Sequence, residues 1–153
     1  MAFELRAGDD VVATLAWEKA FGTLALAQTA EQAWTFKRMG FFNTRVTIRA
    51  SGSEADLGIF KPGWGYSGTL EVGGRAYAWK SMGFLGGKWG FFGPDGTEYV
   101  SFQYTGGLGS LLKVEGAVEV LPGAPVGPDL PLLLALGWYL MTMMYVESTT
   151  VAV

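Results

Sequence analysis

The feature that most constrains this sequence is an uncharged stretch near its C-terminus. Leu130 to Val146 is a run of seventeen residues without an acidic or basic side chain. A helix of this composition is apolar on every side, so it must either cross a bilayer or be enclosed by other parts of the chain. At 1.5 Å per residue it would be about 25 Å long, which is compatible with both situations.

The residues that flank this stretch favour enclosure. Asp129 can act as an N-cap, and Pro131 falls in the first turn, where a missing N–H is harmless. Membrane anchors usually carry Lys or Arg near one end. Here the nearest charges are Asp129 and Glu147, and the nearest upstream cation is Lys113. The sequence therefore predicts a buried core helix, with a C-terminal tail anchor as the alternative.

The chain before the helix has the pattern of many short β-strands joined by tight turns. Glycine occurs 23 times, and sequences such as Gly73-Gly74 and Gly93-Pro94-Asp95-Gly96 are typical of hairpins. The pattern predicts about twelve strands between residues 2 and 121. They are Ala2–Arg6, Val11–Glu18, Phe21–Thr29, Gln32–Met39, Thr44–Ala50, Ala55–Lys61, Tyr66–Val72, Arg75–Met82, Lys88–Phe92, Thr97–Tyr104, Ser110–Val114 and Ala117–Leu121.

An internal repeat relates two of these strands. The segment from Ala33 to Phe41 recurs forty-three residues later from Ala76 to Phe84, with five identities and two exchanges of one aromatic residue for another. Two copies are too few for a solenoid or propeller, so we interpret them as a duplicated antiparallel half-sheet. The repeat predicts that Lys37 and Lys80 occupy equivalent positions.

The number of strands and the apolar helix together predict the fold class. A barrel of eleven or twelve strands has an interior wide enough for a helix, whereas eight strands can be filled by side chains alone. We therefore expect a mostly β protein: a closed antiparallel barrel of about twelve strands enclosing one C-terminal hydrophobic α-helix, as a single domain over residues 1–153. Trp64, between two glycines, is expected to pack in the core or at a barrel end, with an exposed ligand-contacting position as the alternative.

Composition excludes several kinds of chemistry. The chain has no Cys and no His, which rules out disulfides, thiolate catalysis and the Ser-His-Asp arrangement, and removes the usual metal ligands. We accordingly predict no metal and no cofactor. The N-terminal residues contain acids and no apolar run, so a cytoplasmic location is expected. A sequence pI near 4.9 argues against nucleic-acid binding.

The charges are unevenly distributed along the chain. Although the net charge is -3, the segment from Thr35 to Gly90 has eight cations and three acids, and the flanking segments have three cations and eleven acids. One part of the surface is thus expected to be basic, either as a solubilising face or as a binding face. The predicted binding residues for lipid headgroups are Lys37, Arg38, Arg45, Arg49, Lys80 and Lys88.

The predicted architecture resembles a known superfamily, which contains the tubby C-terminal domain, the plant LURP-one-related proteins and the phospholipid scramblases. The resemblance extends from Phe3 to Val146 and includes the Lys-Xaa-Met-Gly-Phe units that begin at Lys37 and Lys80. It implies a non-catalytic domain that in some members binds phosphoinositides or acts at membranes. The chain lacks the acidic calcium-associated loop and the cysteine-rich segment of scramblases, and no lipid-binding cation of tubby is carried over.

Three functions follow from these patterns. The first is a lipid-binding module that associates peripherally with anionic membranes through its basic strands. The second is a structural or protein-interaction domain, whose partner would be a protein. The third and weakest is an enzyme that uses carboxylates alone, and we predict that the protein is not an enzyme. A tail-anchored β protein is the alternative if the helix spans a membrane.

Overall fold

The computed structural model describes residues 1–20, 22–83, 87–105 and 114–151, and it is mostly β. Within these residues, eleven strands precede one helix, α1, at Asp129–Val151. The strands are β1 (Ala2–Ala7), β2 (Asp10–Trp17), β3 (Ala25–Thr29), β4 (Ala33–Met39), β5 (Arg45–Ala50), β6 (Asp56–Pro62), β7 (Gly68–Val72), β8 (Arg75–Met82), β9 (Lys88–Phe92), β10 (Glu98–Tyr104) and β11 (Gly116–Val120).

The strands form one antiparallel sheet whose order follows the sequence from β1 to β11. A β-rich fold with one C-terminal helix is thereby confirmed. Hydrogen bonding in the described part of the chain does not join β1 to β11, so strand pairing does not close the sheet there. Of the predicted twelfth strand, Ser110–Val114, residues 110–113 lie outside the described residues, and Val114 is not in a strand.

Two strands begin more than one residue later than the alternation of residues predicted. β3 begins at Ala25 because the preceding residues form a turn, in which the Gly22 N–H donates to the Lys19 carbonyl at 3.2 Å. β7 begins at Gly68 because Tyr66 has a φ of +69° and the Ser67 N–H donates to the Trp64 carbonyl at 3.1 Å. Local backbone hydrogen bonds of this kind compete with strand pairing. The alternation of apolar and polar residues does not reveal them, so it placed the start of these strands too early.

The chain divides into two compact units. The first comprises the described parts of Met1–Gly63 and Thr69–Ala76, and the second those of Trp64–Gly68 and Tyr77–Val153. In the first unit alternate residues enter the core, as on any strand with one buried face. The buried apolar side chains of this unit are Leu15, Trp17, Ala25, Ala27, Trp34, Phe36, Val46, Ile48, Phe60, Leu70 and Val72.

In the second unit, the helix packs on β9 and β10. The Trp79 ring stacks on Trp89 at a centroid distance of 5.6 Å and lies 5.6 Å from the Phe102 ring. A Cβ at Gly137 would lie 2.1 Å from Cζ of Phe102, so the helix can approach β10 this closely only with glycine at that position. Gly137 therefore lets the helix pack closely against the Phe102 ring of β10.

Helix α1 is longer than the uncharged stretch. The charge of Glu147 marked the predicted end, but the helix continues to Val151, and the Ser148 hydroxyl donates to the Tyr145 carbonyl at 2.8 Å. Asp129 lies in the first turn, where its carboxylate accepts a hydrogen bond from the Tyr77 hydroxyl. Such boundary differences arise because polar residues can extend a helix that apolar packing has already positioned.

The helix is buried in several directions. Leu136, Met141 and Thr142 are fully buried, and at about 100° per residue they project from the axis about 100° to 140° apart. The Thr142 hydroxyl is satisfied within the helix, because it donates to the Trp138 carbonyl at 2.8 Å. The helix is also long and apolar enough to cross a membrane, with 56% of its most apolar window buried. This degree of burial favours a core helix over a tail anchor.

Candidate functional site

The pairing of β4 with β5 determines which of the predicted cations share a face. Lys37 lies opposite Thr47, Met39 opposite Arg45, and Thr35 opposite Arg49. Opposed residues of antiparallel strands point to the same side of a sheet. Lys37, Arg45 and Arg49 therefore share one face, which we call the basic face, on the side opposite the buried Phe36 and Ile48. Both arginines thus leave β5 on one side, because residues four apart on a strand point the same way.

Arg38 does not belong to the basic face. It lies opposite the buried Val46 and on the same side of β4 as Phe36. The Arg38 side chain is half-buried, whereas Lys37 is exposed. The structure therefore separates these two neighbouring cations, because consecutive residues of a strand point to opposite sides. A count of charges along the sequence does not distinguish them.

Lys80 and Lys88 lie in the second unit. On β8, Lys80 lies opposite Gly90 of β9. Lys88 of β9 lies opposite Met82, which is on the same side of β8 as Lys80. Both lysines are therefore on the side away from the buried Trp79. The Lys80 Nζ lies 4.3 Å from the centroid of the Phe92 ring, a cation–π contact. Lys80, like Lys37, is exposed, and the aromatic residues of the two copies lie on matching buried faces: Trp34 and Tyr77, and likewise Phe36 and Trp79, are all buried. The predicted equivalence of Lys37 and Lys80 is therefore confirmed, while Phe84, which ends the second copy, lies outside the described residues.

Besides Arg6, which is paired with Glu4, two cations near the basic face are paired with acids. Arg49 Nε lies 2.7 Å from Oδ1 of Asp56, and Lys61 Nζ lies 3.1 Å from Oε2 of Glu71. These pairs are partly exposed, so each contributes little to stability but lowers the local positive potential. Within the described residues, neither Lys37 nor Arg45 forms an ion pair with an acid.

An open hollow of about 430 Å³ lies at the N-terminal end of β5. It is lined by Phe42, Asn43, Thr44, Arg45, Lys61, Pro62 and Gly63, all in the first unit. Arg45 and Lys61 are the two cations among the lining residues, which include no acid; Lys61 is paired with Glu71 outside the lining, whereas Arg45 forms no ion pair with the described acids. A concave site with these charges suits a small anion such as a phosphate group.

Phe41 and Phe42, in the turn between β4 and β5, were not predicted as functional residues. Their side chains are 89% and 93% exposed, and their rings meet edge to face at 5.1 Å. Lys61 was also missed as a site residue. The sequence contained one signal that could have indicated Phe41 and Phe42 as contact residues. Turns between strands are usually polar, so two successive aromatic residues in a predicted turn are unusual.

Trp64 is 94% exposed, so the expectation that it packs in the core or at a barrel end is wrong. The cause is local: the chain turns at Gly65 and Tyr66, both of which have positive φ. This turn carries the indole away from the sheet. Its exposed position agrees with the alternative interpretation of a contact residue.

The acidic residues that the structure describes were also considered as a metal site. No group of three or more His, Cys, Asp or Glu able to hold a metal ion occurs in the part of the chain that the structure describes. Asp95 acts as a turn residue: the Thr97 backbone N–H and hydroxyl donate to its carboxylate at 3.0 and 2.8 Å. The backbone hydrogen bond from Thr97, followed by that from its hydroxyl, lowers the pKa of Asp95.

Comparison with known proteins gives no relative. No family model, no curated protein and no solved structure matches this chain. The tubby-like resemblance thus stays a prediction from the architecture, and a functional proposal depends on the chain's own residues.

Proposed function

We propose that this protein is a non-catalytic β domain that associates peripherally with anionic phospholipid membranes. The observation that carries the proposal is the basic face, where Lys37 and Arg45, which form no ion pair with the described acids, lie beside Arg49 on the side of β4 and β5 opposite the buried Phe36 and Ile48. Anionic headgroups are the partner of complementary charge. A cytoplasmic protein that meets the inner leaflet of a membrane is consistent with this role.

The expected affinity is modest. Each cation held near an anionic membrane surface contributes about 1 kcal/mol, so a few cations give weak binding in which no single residue is essential. Because the net charge of the whole chain is -3, binding requires that the basic face approach the membrane first. Salt screens such interactions over about 8 Å at physiological ionic strength, so the association should weaken as salt rises.

We also propose that the sheet curls around α1 into a closed, tubby-like barrel. Support comes from the burial of Leu136, Met141 and Thr142, which project from the helix in three well-separated directions. A helix that is apolar on every side gains most when all sides are covered. Spin labels placed in pairs on β1 and β11 test this, because a closed barrel requires the two strands to lie within about 5 Å in the hydrogen-bonding direction.

Vesicle sedimentation tests the lipid proposal. Wild-type protein should sediment with vesicles containing phosphatidylserine or phosphoinositide at low salt, and less so at high salt. The double variant Lys37→Glu/Arg45→Glu should lose binding. Its matched control is Arg6→Glu/Lys19→Glu, which changes the net charge by the same amount at positions outside the basic face and should bind more strongly than the Lys37 and Arg45 variant.

A broader variant tests the cations of both units. Arg45, Arg49, Lys80 and Lys88 are all replaced by Glu, and binding at low salt should then be abolished. If wild-type protein does not bind at low salt, or this variant binds as well as wild type, the lipid proposal fails. A protein-interaction role would then be the remaining candidate, with the exposed Trp64 as the residue to examine first.

A further inference from the structure

The turn between β4 and β5 exposes more apolar surface than any stability argument requires. Phe41 and Phe42 are 89% and 93% exposed, and their rings contact each other and not the core. Isolated apolar residues on a surface are common, but two adjacent and almost fully exposed phenylalanines form a patch, and such patches mark contact surfaces.

The backbone of this turn is specified by Gly40. Its φ is +92°, and a Cβ at this position would lie 2.4 Å from the Asn43 carbonyl oxygen. Any other residue would be strained by both the backbone conformation and the contact. The exposed position of the two rings therefore follows from a tight, defined turn.

Cations lie directly beside this aromatic tip, which we define as Phe41 and Phe42. Arg45 begins the strand that leaves the turn, and Arg45 and Lys61 line the adjoining hollow of about 430 Å³. Aromatic rings next to Lys and Arg are the composition that favours the interface of an anionic bilayer, where the rings enter the headgroup region and the cations meet the phosphates.

We propose that the aromatic tip inserts into the headgroup region of an anionic bilayer, and that one lipid phosphate occupies the hollow beside Arg45 and Lys61. This inference rests on the proposed membrane association and gives it an orientation. Commitment to a bilayer, in preference to a soluble phosphate, follows from the two phenylalanines, since a free phosphate gains nothing from exposed aromatic rings.

This orientation predicts which cations contribute most to membrane binding. Arg49 is four residues further along β5 than Arg45, which is about 13 Å at the rise of a strand. That distance exceeds the screening length of about 8 Å at physiological salt. Because Asp56 pairs with Arg49, the comparison is made in an Asp56→Asn background. With the tip inserted and β5 upright, Arg45 should then contribute more than Arg49, whereas flat binding of the basic face would make the two arginines equivalent. Comparing Arg45→Gln with Arg49→Gln in this background distinguishes these orientations.

A site-specific fluorophore tests the insertion directly. The chain has no cysteine, so Asn43→Cys can be labelled with an environment-sensitive dye while both phenylalanines are retained. Ser53→Cys is the matched control, because it is also exposed and lies in the loop at the other end of β5. With phosphatidylserine vesicles the dye at position 43 should shift to the blue and that at position 53 should not. Inorganic phosphate alone should leave both spectra unchanged.

A second variant tests the rings themselves. Phe41→Ala/Phe42→Ala should keep the wild-type unfolding temperature, since neither side chain is buried, and should weaken vesicle binding by about tenfold or more. Gly40 is retained in this variant to preserve the turn.

The possible failures are distinguishable. If wild-type protein does not sediment with anionic vesicles at low salt, the proposed function fails and the insertion model fails with it. If it sediments but the dye at position 43 stays in water, or the double alanine variant binds normally, only the insertion model is overturned. A blue shift that grows with protein concentration without vesicles would mean that the tip contacts a second copy, which also overturns insertion.

Discussion

At the scale of single residues, Gly137 is the position where the closest packing can be tested. A Cβ there would lie 2.1 Å from the Phe102 ring, which is itself buried against Trp79. Gly137→Ala should therefore destabilise the protein by about 1 to 3 kcal/mol through overpacking, despite the higher helix propensity of alanine. Chemical denaturation measures the change.

A second substitution isolates the cause. Phe102→Leu shortens the side chain that the new methyl group meets, so Gly137→Ala should cost less in this background than in wild type. Equal costs in the two backgrounds would show that the ring is not the obstacle, because independent sites have additive effects.

Tyr104 should make the free energy of unfolding fall as the pH rises in the alkaline range. Its hydroxyl donates to the Met141 carbonyl, and burial, with a smaller contribution from Tyr145, raises its pKa well above the ordinary value. The unfolded phenol ionises near pH 10, so above that pH the unfolded state binds fewer protons than the folded state. The stabilising contribution is complete below about pH 10 and is lost as pH rises through the folded pKa.

Denaturation at a series of pH values checks this sign. The free energy of unfolding should fall more steeply with pH above about 10 in wild type than in Tyr104→Phe. Tyr66→Phe is the matched control, since it removes an exposed phenol, and it should keep the wild-type slope. A wild-type slope in Tyr104→Phe would assign the effect to other groups.

At the scale of elements, the stability of the protein depends most on the apolar surroundings of helix α1. Leu134 lies near the middle of the uncharged stretch but is only half-buried, whereas Leu136 is fully buried. Leu136→Asp should unfold the protein, because an unpaired carboxylate in an apolar interior costs several kcal/mol against a total stability of about 5 to 15 kcal/mol. Circular dichroism of the purified variant measures the loss of structure.

The control for this experiment is Ser148→Asp, an exposed position on the same helix, which should fold normally.

Solubility separately tests whether helix α1 belongs to the core or anchors the protein in a membrane. Wild-type protein should purify without detergent if the helix is part of the core. Recovery only from detergent-extracted membranes would instead assign the helix to a tail anchor.

At the scale of the whole molecule, the distribution of charge limits membrane association. Asp56 and Glu71 pair with two of the cations of the first unit, Arg49 and Lys61. Asp56→Asn/Glu71→Gln should therefore raise the affinity for phosphatidylserine vesicles by about fivefold or more, since the release of Lys61 beside the aromatic tip alone gains about 1 kcal/mol near an anionic surface.

Removing any two acids also changes the net charge, so a matched control is needed. Glu31→Gln/Glu119→Gln removes the same charge from two exposed acids that form no ion pair within the described residues. This control should raise affinity less than the first pair does. Equal increases would mean that net charge, and not the release of Arg49 and Lys61, governs binding.

The sequence by itself determined the elements of this protein. Alternating residues and turn chemistry located eleven strands, and a run without charges located the helix, because these patterns reflect which local conformations bury apolar groups. It also determined that Arg45 and Arg49 leave β5 on one side, since a strand has a strict period of two residues. Helix and strand ends were less well predicted, because they depend on individual hydrogen bonds.

Only the tertiary structure decided how those elements are used. It paired Arg49 with Asp56, and it exposed Phe41, Phe42 and Trp64. Each of these outcomes depends on which strand lies alongside and on how a turn leaves the sheet. Contacts between residues far apart in the chain are set by packing and register, and no local pattern of residues contains that information.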